Sequence, residues 1–95
     1  AQPDEAFDEL RRAADAATRA GARAIAWLAH AELGVLYQRV GLADEAAGEL
    51  VRGRELLDEV TADLPARHVE RYRHAAAHAA LVAAVEATGG AATGR

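Results

Sequence analysis

Residues 33–53 read LGVLYQRVGLADEAAGELVRG. Leu33, Gly34 and Tyr37 follow a helical spacing, Gly41 interrupts it, and Ala46, Leu50 and Gly53 begin a second helical run. Leu33 and Tyr37 are one turn apart and can pack on the row Ala46, Leu50 and Gly53. A glycine inside a helix costs about 1 kcal/mol relative to alanine. Gly34 and Gly53 are therefore explained by two helix backbones approaching closely, with the small Ala46 at the same seam.

Working outward, apolar spacings of three and four dominate the chain, and no segment sustains a period of two. Four helices are expected, at about 4–20, 22–40, 44–60 and 65–88. The first carries Phe7, Leu10, Ala14 and Ala17 on one stripe. The second carries Ile25, Leu28, Ala29, Leu33, Leu36 and Val40. The third carries Ala46, Ala47, Leu50, Val51, Leu57 and Val60. Gly21 and Gly41 follow runs ending in Arg19 and Arg39, a C-terminal signal. Gly89 and Gly90 are expected to close the last helix, leaving 91–95 as a flexible tail. Pro3 and Pro65 suit first helical turns. The segment 4–10, DEAFDEL, returns at 44–50 as DEAAGEL, with five of seven positions identical. That repeat suggests a shared helix start, with Asp4 and Asp44 as caps and Glu5 and Glu45 at the positive end of the dipole.

Leu33-Gly34-x-x-Tyr37, the turn glycine Gly41 and Ala46-x-x-x-Leu50 together resemble the tetratricopeptide repeat (TPR). The family's tryptophan would fall at His30, one turn after Trp27; Leu50 stands for its large ring, and its closing proline falls at Asp58. The resemblance implies an all-α fold of four antiparallel helices stacked as TPR-like helical hairpins over residues 1–90. It also implies a non-catalytic scaffold for a protein or peptide. The 40-residue offset resembles the arrays attached to bacterial signal-transduction regulators, which implies a cytoplasmic regulatory domain. The alternative is a plain alanine-rich four-helix bundle closed around one core.

Composition narrows the chemistry. Among 95 residues there are 27 alanines, but only 22 larger apolar side chains, and no Cys, Met, Lys, Ser or Asn. The absence of Cys excludes disulfides and thiolate sites, and the absence of Ser excludes serine nucleophiles. The net charge is −4 and the eleven arginines are dispersed, so no nucleic-acid partner is expected. No run of 18 apolar residues and no leader pattern is present, so neither membrane nor secretion is expected. Dispersed carboxylates and the lack of a glycine-rich phosphate loop point away from catalysis, and no cofactor is implied.

Partner-binding candidates follow from the helical faces. On the second helix the inner surface expected from the resemblance holds Leu28, Ala31, Glu32, Val35, Gln38 and Arg39. Ala31 and Val35 stand where repeats that clamp an acidic chain terminus carry polar groups, so an apolar helix or extended peptide fits better. Past residue 75 the fourth helix is apolar nearly all round. His78, Leu81 and Val85 are therefore candidate contact residues, for a partner or for a homodimer through this helix. Val69, Tyr72, Ala76, Ala79, Ala80 and Ala83 form its smooth stripe. His74 and His78, spaced i, i+4, could chelate a metal, but no third ligand is in pattern and the neighbouring arginines oppose a cation, so no metal site is expected. The seven acids on and after the third helix, and the arginines and histidines of the fourth, read as solvated faces.

Overall fold

The computed structural model describes residues 3–75 and 78–93, with side chains described for 4–75 and 78–87. The fold is all-α. Its helices are α1 (Pro3–Arg19), α2 (Arg23–Arg39), α3 (Ala43–Ala62), α4 (Ala66–His74) and α5 (Ala79–Thr93). There is no strand among the described residues.

Two turns of the same construction join the first three helices. Gly21 and Gly41 have φ of 73° and 82°, a left-handed conformation that an L side chain resists. At each turn the glycine N–H and the next N–H reach back into the finished helix. Gly21 donates to Thr18 and Ala22 to Ala17; Gly41 donates to Gln38 and Leu42 to Tyr37. These Schellman closures satisfy carbonyls that a helix end leaves open. The residue after each glycine already begins the next helix: Ala22 and Leu42 stand at the N-cap positions, without a side-chain cap bond. Asp44 is therefore not a cap. Like Asp4, it sits in a first turn, where the dipole favours its charge.

α2 packs against α1, α3 and α5, and this explains a redistribution of its buried residues. Ala26, Trp27, Ala29, Ala31, Leu33, Gly34 and Tyr37 are buried. Ile25 and Val40, expected on the core stripe, are 58% and 47% exposed, and Val51 of α3 is also exposed. Small residues hold the closest approaches. A Cβ on Gly34 would come within 2.5 Å of Leu50 Cγ and Cδ2. A Cβ on Gly53 would meet Val85 Cγ1 at 3.3 Å and the backbone of Ala31 and Trp27 at 3.4 Å. The seam expected from residues 33–53 is thus present, with Leu33, Ala46 and Leu50 almost fully buried along it.

The core has two parts. Phe7, Leu33, Tyr37 and Ala46 form one, with the Phe7 and Tyr37 rings stacked at 4.7 Å. Trp27 centres the other, with Leu50, Leu56, Leu57, Val82 and Val85 around it. Its Nε1–H donates to the Tyr72 hydroxyl at 2.9 Å.

The expected fourth helix is two. α4 ends at His74, and Ala75 takes an extended conformation, φ −59° and ψ 143°. The Ala75 carbonyl then accepts the N–H groups of His78 and Ala79, which starts α5. On one continuous helix Tyr72 and Val85 would point about 140° apart. The break lets both reach the Trp27 core. α5 also runs on through Gly89 and Gly90 to Thr93, beyond the expected end. Ala76, from the smooth stripe, lies outside the described residues. Ala79, Ala80 and Ala83 of that stripe are exposed, while Val82 and Val85 face inward.

Candidate functional site

α1 and α5 both lie against α2, and between them a strip of α2 stays open. Glu32, Val35, Leu36 and Arg39 occupy i, i+3, i+4 and i+7, one face of the helix. With Ala6 and Leu10 of α1 and Leu81 of α5 they line a cleft of about 310 Å³. The floor is apolar and half-buried at Val35 and Leu36; Glu32 and Arg39 are exposed at its two ends. Neither charge joins an ion pair or a side-chain hydrogen bond among the described residues.

Of the nine residues placed from sequence on these two helical faces, four converge here: Glu32, Val35, Arg39 and Leu81. Gln38 is exposed near the C-terminal end of α2 but does not line the cleft. Leu28 is half-buried against the Trp27 core. Two candidates need correcting. Ala31 and Val85 are fully buried, Ala31 in the α2–α3 seam and Val85 over Gly53, so neither offers a surface. The reason is close packing: a glycine on α3 draws both the α2 backbone and the α5 valine against it. His78 is half-buried and internally engaged. Its Nδ1 bonds the Tyr72 carbonyl at 2.9 Å, and its ring lies 4.6 Å from that of Tyr72 and 5.5 Å from that of Trp27.

The helix break also separates His78 from His74. His74 stays on α4, exposed and 3.0 Å from Glu70. Among the described residues no group of three His, Asp or Glu side chains is placed to hold a metal.

Sequence reasoning left Ala6, Leu10 and Leu36 out of the site. Leu10 carried a signal, since it lies on the apolar stripe of the first helix with Phe7, Ala14 and Ala17. That this stripe borders α5 at Leu10 depends on a crossing that periodicity does not encode.

Polar contacts brace the helices around the cleft. Arg11 of α1 donates to the Tyr37 hydroxyl and lies 5.6 Å from the Phe7 ring centre. The Tyr37 hydroxyl raises the Arg11 pKa further, so this side chain is a fixed cation. His30 pairs with Glu49 across the α2–α3 seam at 2.7 Å. Arg23 reaches Asp63 at 2.8 Å and ties the start of α2 to the end of α3. Arg73 of α4 pairs with Glu86 of α5. Among the described residues no helix is long and apolar enough to cross a membrane.

No protein-family model matches this chain, and comparison with curated proteins and with solved structures finds no significant match.

Proposed function

We propose that the chain is a non-catalytic protein-interaction module of the TPR-like kind, holding a helix or peptide of a partner protein between α1, α2 and α5. The cleft carries this reading. Two separated stretches of sequence, 32–39 and Leu81, meet there with Leu10 around an open apolar floor. Partner grooves built this way bury apolar side chains at the centre and use rim charges to reject wrong partners. The resemblance to repeats of bacterial signal-transduction regulators supports a regulatory role in the cytoplasm.

The alternative is self-association through the last helix, which is apolar nearly all round in sequence. Of its two large contact candidates, Val85 is used inside the chain and Leu81 faces the cleft.

Val35→Arg tests the reading. Val35 is only half-buried, so the arginine can leave the fold intact while charging the floor. A partner captured by the wild-type chain should be lost with this variant, at unchanged helical circular dichroism. Equal recovery by both proteins contradicts docking in the cleft.

A further inference from the structure

We infer that the occupant of the cleft is an amphipathic helix presenting an apolar side chain flanked by one basic and one acidic residue seven positions apart. The inference rests on the docking reading above and specifies its partner. Two observations carry it.

The first is what the walls do not offer. Ala6, Leu10, residues 32–39 and Leu81 all lie within helices. Apart from the Leu81 N–H in the first turn of α5 and the Arg39 C=O at the end of α2, their backbone groups are committed to intrahelical bonds, and those along the Leu10, Val35 and Leu36 floor all are. An extended peptide laid in this cleft would bring its own backbone donors and acceptors onto an apolar floor with no partners, a costly arrangement. A helix satisfies its backbone internally and presents only side chains, which is how helices occupy grooves elsewhere.

The second is charge. Glu32 and Arg39 stand about 10 Å apart along α2, two helical turns. Both are exposed and unpaired among the described residues, at opposite ends of an apolar floor. A helix lying along α2 repeats the same two-turn spacing. Its basic residue meets Glu32, its acidic residue meets Arg39, and the apolar residues between them meet Val35, Leu36, Leu10 and Leu81.

The test uses two labelled alanine-rich helical peptides and fluorescence anisotropy. One carries Glu at i, Leu at i+3 and i+4, and Arg at i+7; the other replaces that Arg with Glu. The wild-type chain should bind the Glu/Arg peptide about five- to tenfold more tightly, given the modest worth of exposed ion pairs. Glu32→Arg, which leaves two cations on the rim, should invert the preference whichever way the peptide lies. Val35→Arg should weaken both peptides. A Glu/Arg peptide with a central proline should lose binding, and retained binding would show an extended occupant and overturn the inference.

If the wild-type chain holds both peptides equally and Val35→Arg still releases them, the charge-reading helix is wrong while the docking cleft stands. Absence of binding up to about 1 mM peptide overturns the inference. The docking reading falls with it only if partner capture also ignores Val35→Arg. A concentration-dependent dimer dispersed by Val35→Arg would show a second copy in the cleft and likewise overturn it.

Discussion

Trp27 is the single tryptophan of the chain and has no solvent exposure. Its indole N–H is nevertheless satisfied, because the Tyr72 hydroxyl reaches in from α4. Tyr72→Phe keeps the ring but strands that buried donor, which costs about 1–3 kcal/mol. Urea unfolding followed by Trp27 fluorescence should show the loss; stability unchanged within error would mean that the bond contributes nothing. The role of Trp27 was hard to read from sequence. The stripe that looks apolar on α2 is set by its large residues, Ile25 and Val40 among them, and both are exposed. Ala31 and Gly34 sit at the closest contacts instead, and Ala26 is buried. A pattern weighted by side-chain size misplaces a helix whose tightest packing runs through its smallest residues. Leu33, Tyr37, Ala46 and Leu50 were legible because their spacing is tied to Gly34 and Gly53, glycines that helix propensity alone would not retain.

At the scale of elements, the first three helices were legible to within a residue or two, and the last was not. Gly21 and Gly41 announce their turns because the backbone there needs a left-handed residue. The break at Ala75 has no glycine or proline to announce it. It exists because Tyr72 and Val85 must both face Trp27, a demand that arises only after α5 has docked on α2 and α3. The glycines also separate by role. Gly41→Ala should destabilise the fold by about 1 kcal/mol, since the alanine must hold a positive φ. Gly48 lies mid-helix on α3, exposed, with open space where a Cβ would stand. Gly48→Ala should therefore stabilise the fold by about 0.5–1 kcal/mol. Thermal melts of the two variants should move in opposite directions, and a common direction would contradict the assignment of one as a turn and the other as a surface position.

Across the whole molecule, two core clusters meet at the α2–α3 seam, and α1 and α5 flank α2 so that a strip of it stays open. The cleft was half legible: sequence named Glu32, Val35, Arg39 and Leu81 but also Ala31 and Val85. The error has one source, since faces inferred one helix at a time take no account of the close approach at Gly53, which draws both residues against α3. Both the cleft and the two-part core depend on α2 and α3 meeting nearly backbone to backbone at Gly34 and Gly53. Gly34→Ala gains about 1 kcal/mol of helix propensity, the same gain as at Gly48. It must also push a methyl group into buried Leu50, at a cost of about 1–3 kcal/mol. The most direct measurement is the unfolding free energy of Gly34→Ala beside that of Gly48→Ala, because the unfolded chains change alike and only the native contact differs. Close contact predicts that Gly34→Ala is less stable than the wild-type chain while Gly48→Ala is more stable. Equal stabilisation of both would mean that the two helices stand apart, and the cleft beside them would lose its frame.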